Sequence, residues 1–219
     1  LFRGFTFDDE GFRRDVAIKK VLPHFTEDKQ FIDMLTDEFK LVSHLRHPNI
    51  AEVYELAAVD DSLLISMEYV DGKDLRTLVE KARLRGENLP IDDVVYIVSQ
   101  ALGGLHYAHQ ATDAEGEPLR IVHRDVSPQN VLVGYDGHVK ICDFGVAKAA
   151  HNKVQTKTGI IKGKVKYMSP EQAFGRKLDG RSDVFSAGTV LYELLAGQAP
   201  FHAANEIDLI FAVRDAAPR

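Results

Sequence analysis

The first seventy residues show the spacing of strands, with one helical stretch between them. Short apolar runs at Val16–Lys19 and Leu63–Met67, and a β-branched run at Ile50–Leu56, predict three strands. Between the strand at Val16–Lys19 and the strand at Ile50–Leu56, apolar residues recur every three or four positions. They predict one amphipathic helix, which carries Phe31, Leu35, Phe39, Val42 and Leu45. This part of the chain is therefore expected to be β-rich.

Two long helices are predicted in the rest of the chain, after a turn at Asp71. Apolar residues form one stripe over residues 94–108. A second stripe, over residues 184–195, follows Asp183, a residue type that favours helix caps, and stops at Gly197. We therefore predict a mainly helical second part in which Asp183 caps the later helix.

A β-hairpin is predicted between these helices. Val131–Val133 and Val139–Ile141 are short apolar runs separated by Asp136 and Gly137, a strong turn signal. Polar residues stand directly before the first run and directly after the second. A hairpin would bring these two polar groups to the same place.

The polar residues at the hairpin are of the types that bind Mg²⁺ and accept protons. Asp125 and Asn130 precede its first strand, and Asp143 follows its second. Amide and carboxylate oxygens suit Mg²⁺, which takes one or two protein groups together with phosphate oxygens. Asn130 and Asp143 are therefore candidate metal ligands, which leaves Asp125 as a candidate base. Lys19, at a strand end, would by itself be an ordinary lysine that extends to solvent.

Composition narrows the class of protein further. The 219 residues are 45% hydrophobic and 27% charged, as in folded globular proteins. No apolar run reaches the roughly 18 residues that a membrane helix needs, and a net charge of −6 has the wrong sign for a nucleic-acid partner. With one cysteine, Cys142, the chain cannot form an internal disulfide, so we expect a reducing, cytoplasmic location.

These motifs, in this order, resemble those of the eukaryotic-like serine/threonine protein kinases of bacteria. V-A-I-K lies at Val16–Lys19, H-R-D begins at His123 with Asn130 five residues after its aspartate, and D-F-G begins at Asp143. Ser-Pro-Glu, ending at Glu171, stands at the A-P-E position. The resemblance covers nearly the whole chain.

The resemblance implies an α+β fold of two lobes. Residues 1–70 would form a small antiparallel β-rich lobe with one helix, and residues 71–219 a larger, mainly helical lobe. No G-x-G-x-x-G precedes Lys19, so the family's glycine-rich loop is expected to be missing, and its last helices would lie beyond Arg219. We therefore expect a catalytic domain truncated at both ends.

The resemblance also implies ATP and Mg²⁺ as cofactors and gives the polar residues roles. Lys19, held by Glu38, would grip the α- and β-phosphates. Asn130 and Asp143 would hold the metal ions, and Asp125 would accept the proton of a substrate hydroxyl. Each of these five residues is therefore a candidate for catalysis or cofactor binding. The resemblance implies that Asp183 braces the loop that carries Asp125 and does not touch the substrate.

Further residues would hold the adenine ring. Ala17 and Leu132 stand where the family sandwiches the ring between small or apolar side chains. Met67, Glu68 and Val70 fall in the hinge, whose backbone pairs with adenine in the family. The alternative for these positions is simple core packing.

Two positions depart from the family pattern. Ser127 stands where the serine/threonine branch has lysine, and Lys164 stands where it has threonine. If the loops fold as they do in the family, Lys164 could reach Asp125 and the γ-phosphate and supply the charge that position 127 lacks. Ser127 would then take over the hydroxyl's hydrogen bond. The alternative is that Lys164 is one of several solvated lysines in a basic loop.

The basic loop suggests regulation. Residues 144–170 contain six lysines and no acidic residue. Thr156 and Thr158 lie in this stretch, where a phosphate could pair with Arg124. Self-association would allow the chain to phosphorylate itself there.

The function implied by the resemblance is that of an ATP-dependent serine/threonine kinase with a protein substrate. The competing hypothesis is a non-catalytic pseudokinase that serves as a signalling scaffold. Ser127 and the missing glycine-rich loop favour the scaffold, whereas the intact residues Lys19, Asp125 and Asp143 favour the enzyme.

Overall fold

A four-stranded antiparallel sheet forms the first lobe. The computed structural model describes residues 1–7, 10–21, 29–60, 62–144 and 164–216. The sheet has the order β1-β2-β4-β3 and is built from β1 (Phe2–Phe7), β2 (Arg13–Lys20), β3 (Val53–Val59) and β4 (Ser62–Glu68). Gly145, Thr156 and Thr158 lie outside the described residues, so the regulatory expectation for the two threonines stays a prediction.

One helix, α1 (Lys29–Val42), packs on this sheet. Its buried residues Phe31 and Leu35 meet Leu63, Ile65 and Met67 of β4, which together form the core of the lobe. The predicted helix and the strands at 16–19 and 63–67 are thereby confirmed. The third strand starts three residues later than predicted, because Ile50 bonds across to the second lobe instead.

The second lobe combines a small antiparallel sheet with helices. Its three strands, in the order β5-β6-β7, are β5 (Gly72–Asp74), β6 (Val131–Gly134) and β7 (Val139–Ile141). The described helices are α2 (Leu75–Leu84), α3 (Ile91–His109), α4 (Pro170–Ala173), α5 (Gly180–Ala196) and α6 (Glu206–Arg214), with short 3₁₀ turns at Pro128–Asn130 and Val165–Tyr167. This antiparallel first lobe and helical second lobe confirm the predicted α+β, two-lobed fold.

The hairpin between α3 and α5 is confirmed. In its register Val131 faces Ile141 and Val133 faces Val139. Gly137 in its turn has a φ of 85°, a left-handed conformation that glycine adopts without steric cost. The hairpin therefore places residue 130 and residue 142 side by side at its open end, where the backbone N–H of Cys142 donates to the carbonyl of Asn130 at 2.9 Å.

The predicted cap of α5 is wrong. Asp179, not Asp183, caps the helix, because its side chain accepts the backbone N–H of Arg181. An arginine hydrogen bond to this exposed carboxylate lowers the pKa of Asp179 to about 2. Asp183 lies one turn inside the helix, where it is 1% exposed and faces the loop before the hairpin.

A short segment before β3 fastens the first lobe to the second. The backbone N–H of Ile141 donates to Asn49 O, and that of Ala51 donates to Ile141 O, both at 2.9 Å. The Asn49 amide adds bonds to Gln100 Oε1 at 3.0 Å and Val139 O at 2.9 Å. Gly104 of α3 permits this approach, since a Cβ there would lie 2.8 Å from Asn49 O.

We expect Asn49→Ala to lower the free energy of unfolding by about 1 to 3 kcal/mol, because it removes two hydrogen bonds of roughly 0.5 to 1.5 kcal/mol each. Urea unfolding followed by circular dichroism measures this. Asn88→Ala, at an exposed position, is the matched control and should change stability by less than about 0.5 kcal/mol. Equal effects of the two substitutions would contradict the role of Asn49 between the lobes.

Candidate active site

The loop that begins at His123 is held by the buried carboxylate of Asp183. Asp183 Oδ2 accepts the backbone N–H of His123, and Oδ1 accepts that of Arg124, both at 2.8 Å. The His109 ring of α3 lies 2.8 Å from Oδ2. Arg124 takes a left-handed φ of 68°, a conformation that costs free energy and persists only where the surroundings impose it. These bonds impose it here.

The His123 ring ties this loop to the strand that precedes Asp143. It is fully buried, and its Nδ1 accepts the backbone N–H of Asp125 at 3.2 Å. An accepting Nδ1 leaves the ring proton on Nε2, which donates to Cys142 O at 2.9 Å. The ring also packs on Phe144 with centroids 4.5 Å apart. Both ends of the hairpin are therefore fixed relative to Asp125.

The side chains of Asp125 and Asn130 meet in this loop. Asn130 Nδ2 donates to the backbone carbonyl of Asp125 at 2.7 Å and to its Oδ2 at 2.9 Å. Asn130 is 4% exposed, so its amide has little freedom to turn. The structure thus brings together three of the predicted site residues: the candidate base Asp125 and the candidate ligands Asn130 and Asp143.

The donor set at this point fits Mg²⁺. Asn130 Nδ2 uses its two N–H groups on Asp125, and the Asp143 carboxylate follows directly after Cys142, whose backbone N–H donates to the Asn130 carbonyl. Among the described residues no group of three or more His, Cys, Asp or Glu forms a metal cluster. A site with one amide and one carboxylate suits a metal ion that shares its coordination with phosphate oxygens.

The expected pair of Lys19 and Glu38 is not formed, which corrects the sequence prediction. Lys19 Nζ lies 2.8 Å from Asp143 Oδ2, whereas Glu38 Oε1 lies 3.4 Å from the Arg124 guanidinium. The physical reason is competition between charges: Asp143 projects from the hairpin toward β2, and Arg124 projects from the loop toward α1. The spacing of residues along the chain could not show whether Lys19 pairs with Glu38 or with Asp143.

The residues predicted to hold adenine come from both lobes. Ala17 of β2 lies directly opposite Met67 of β4, and Leu132 is half-buried on β6 of the other lobe. Met67 itself is 8% exposed and packs in the core of the first lobe, so for this side chain core packing is what the structure shows. Val70 follows β4 and is half-buried.

Glu68 makes a contact that the sequence did not suggest. Its Oε1 lies 3.0 Å from Lys140 Nζ on β7, and its Oε2 accepts the backbone N–H of Glu52 at 3.2 Å. The side chain therefore links the end of β4 to the second lobe. The role of its backbone in a hinge stays a prediction.

A small cavity behind Met67 reaches the cysteine of the chain. Glu38, Phe39 and Phe144 line it together with Cys142. Burial raises the pKa of the Cys142 thiol, so the thiol stays protonated at neutral pH and is a poor nucleophile. Cys142 is therefore a packing residue next to the site.

The structure shows the predicted contact of Lys164 but not the predicted hydrogen bond of Ser127. Lys164 Nζ contacts Asp125 Oδ2 directly, as the sequence analysis predicts for this lysine of the basic loop. Ser127 does not take over a hydrogen bond: it is 1% exposed, and its Oγ has no partner among the described residues. That part of the expectation is wrong, because the described residues offer no hydrogen-bond partner to the hydroxyl.

A helix start outside the sequence motifs supports the same loop. Ser169 and Gln172 form a capping box at the start of α4, and the Gln172 amide also donates to Arg124 O at 2.8 Å. The spacing of serine and glutamine three residues apart signals such a box in sequence. The same short helix carries Glu171, which accepts a hydrogen bond from the buried Ser182 hydroxyl.

Comparison with known families agrees with this geometry. Residues 8–217 match the protein kinase domain family. The chain belongs to the protein kinase family. Protein kinases transfer a phosphoryl group from ATP, typically with Mg²⁺, and this kinase carries the loop, hairpin and lysine strand described above.

Relatives and solved structures support the assignment. This kinase is 42% identical over 204 residues to the tyrosine-protein kinase MasK of Myxococcus xanthus, covering 93% of this chain and 32% of that protein. It is 37% identical over 196 residues to the serine/threonine-protein kinase PrkC of Bacillus subtilis, covering 90% and 28%. The PknI kinase domain of Mycobacterium tuberculosis superposes with a TM-score of 0.67 at 30% identity, covering 94% and 74%.

The chain spans about a third of the length of these two curated relatives. In the described part of this kinase, we find no helix with the length and apolar character needed to cross a bilayer.

We expect Ser127→Ala to raise the free energy of unfolding by about 1 kcal/mol, or to leave it unchanged, because it removes a buried hydroxyl that has no partner. Ser182→Ala is the matched control. It removes an equally buried hydroxyl that donates to a carboxylate and should lower the free energy of unfolding by about 1.5 to 3 kcal/mol. Chemical denaturation compares the two, and destabilisation by both substitutions alike would show that Ser127 has a partner.

Proposed function

We propose that this kinase domain is catalytically active and phosphorylates serine or threonine residues of a protein with ATP. The observation that carries the proposal is the position of Asp125. Its Oδ2 is held by the Asn130 amide at 2.9 Å, at the open end of the hairpin that carries Asp143. A base, a metal-binding pair and a lysine thus share one cleft, which a scaffold would not need.

In the proposed reaction the substrate hydroxyl oxygen attacks the γ-phosphorus of ATP. The bond between that phosphorus and the β–γ bridging oxygen breaks, and ADP leaves with the electron pair. The hydroxyl proton passes to the carboxylate of Asp125, which orients the hydroxyl and accepts the proton as the new phosphate ester forms. Bound Mg²⁺, held by Asn130 and Asp143, would neutralise charge on the phosphate oxygens.

Binding of ATP requires Lys19 to exchange partners. Its ammonium lies on Asp143 at 2.8 Å, and both side chains are about 30% exposed. An ion pair with that exposure contributes little stability, typically less than about 1 kcal/mol. Lys19 can therefore leave Asp143 for the α- and β-phosphates at small cost, while Asp143 turns to the metal ion.

The proposed substrate class rests on the relatives. The Bacillus subtilis relative is named a serine/threonine-protein kinase, and the Myxococcus xanthus relative, at 42% identity, is named a tyrosine-protein kinase. Tyrosine is therefore the second candidate for the acceptor. A cytoplasmic location, where ATP is supplied, fits either acceptor.

We expect Asp125→Asn in the full-length protein to lower phosphoryl transfer by roughly 10²- to 10⁴-fold, because the amide cannot accept the hydroxyl proton. Transfer of ³²P from ATP to a general protein substrate measures this, and fluorescence titration with a nucleotide analogue should show unchanged binding. Asp92→Asn, on the exposed face of α3, serves as the control. An inactive parent that still binds nucleotide would favour the pseudokinase scaffold instead.

Phosphoamino-acid analysis of the same reaction distinguishes serine or threonine from tyrosine as the acceptor. We expect phosphoserine or phosphothreonine in the substrate protein. A product that contains phosphotyrosine alone would assign this kinase to the other acceptor class while leaving the role of Asp125 intact.

A further inference from the structure

The six residues that begin with the base, 125–130, carry no positive charge. Residues 125–130 read Asp-Val-Ser-Pro-Gln-Asn. Of the nearby cations, Lys19 is paired with Asp143 and Arg124 with Glu38. Among the described residues, the ammonium in contact with Asp125 is that of Lys164. The positive charge beside the base therefore comes from a different part of the chain, the activation segment, which we define as residues 143–171.

Lys164 lies next to a buried turn that is bonded to α5. It immediately precedes the 3₁₀ turn Val165–Tyr167, in which Val165 is 1% and Tyr167 8% exposed. The Tyr167 hydroxyl donates to Glu193 Oε2 at 2.6 Å, and Lys166 Nζ lies 2.7 Å from Glu193 Oε1. Glu193 belongs to α5, so the lysine is positioned by the helix that also holds the loop through Asp183.

Asp125 and Lys164 leave the atoms that the reaction needs. Asp125 Oδ2 accepts from both Asn130 and Lys164, which leaves Oδ1 to receive the hydroxyl proton. An ammonium has three N–H donors, and the contact with Oδ2 uses one of them. The other two can meet oxygens of a phosphoryl group that approaches the base.

The small side chain of Ser127 is compatible with a positive charge that Lys164 supplies to Asp125. Two residues after the base, its side chain is short and 1% exposed. A serine side chain brings no positive charge to Asp125, so the charge has to come from another part of the chain. The small side chain at 127 and the long one at 164 are therefore complementary parts of one arrangement.

We propose that Lys164 is a catalytic residue of this kinase: its ammonium stabilises the charge of the transferring γ-phosphoryl group beside Asp125, a role that the activation segment rather than the catalytic loop fulfils. The proposal rests on the proposed function. It also makes activity depend on the position of Lys164, since displacement of this residue would remove a catalytic charge from Asp125.

The test compares lysines by steady-state kinetics of the full-length protein. Lys164→Ala should lower kcat on the order of a hundredfold, the effect of losing one preorganised charge-stabilising donor, and should change KM for ATP by less than roughly threefold. Lys177→Ala, at an exposed position of the same lobe, should leave both constants near those of the parent. Equal kcat values for the two variants would overturn the proposal.

Relocating the charge gives a second readout. The double exchange Ser127→Lys with Lys164→Thr should recover at least about tenfold of the loss, since it returns one ammonium to the site. Added methylammonium should likewise raise kcat of Lys164→Ala but not of Asp125→Asn. Thermal unfolding shows whether each variant is folded. If Lys164→Ala is folded and slow but neither measure restores activity, the lysine is structural and the proposal is wrong.

Failure of this proposal is distinct from failure of the proposed function. An active parent with an inactive Asp125→Asn variant and a fully active Lys164→Ala variant would retain the kinase function and reject the role of Lys164. An inactive parent would reject both.

Discussion

Asp183 is the group on which the rest of the site depends. A buried carboxylate is tolerated only where hydrogen bonds replace its hydration, and here the backbone of His123 and Arg124 and the ring of His109 supply them. The need to satisfy this one charge joins α3, α5 and the catalytic loop. It also imposes the left-handed backbone at Arg124, from which the direction of Asp125 follows.

The charged residues of the cleft neutralise one another in pairs. Lys19 lies on Asp143, Arg124 on Glu38 and Lys164 on Asp125. Each pair joins two different elements of the described chain. Lys19 and Asp143 are each about 30% exposed, so this pair contributes little stability and can separate at small cost. The carboxylates of the other two pairs are more buried, with Glu38 11% and Asp125 16% exposed, so these pairs are less screened by water.

The elements of this fold were readable from periodicity, but the choice of partners was not. The hairpin followed from two apolar runs around Asp136 and Gly137, and α1 from its stripe of apolar residues. The residue type of Asp183 suits a helix start, but the predicted cap is wrong. The family resemblance also implied that Asp183 braces the loop before the hairpin, and its hydrogen bonds to His123 and Arg124 confirm this. The partner of Lys19 and the enclosed hydroxyl of Ser127 depend on distances between elements far apart in sequence, which spacing does not encode.

The attachment of the first lobe to β7 has a mechanical consequence. Asn49 and Ala51 bond to the backbone of Val139 and Ile141, and Glu68 pairs with Lys140 between them. Because these bonds fall on consecutive residues of one strand, we expect that strand to act as a pivot about which the lobes tilt more easily than they slide or separate. Asp143 follows two residues later and would lie close to the centre of such a rotation. Displacement would grow with distance from the pivot, so the candidate metal ligand would keep its place while β1, at the far edge of the first sheet from β3, would move furthest.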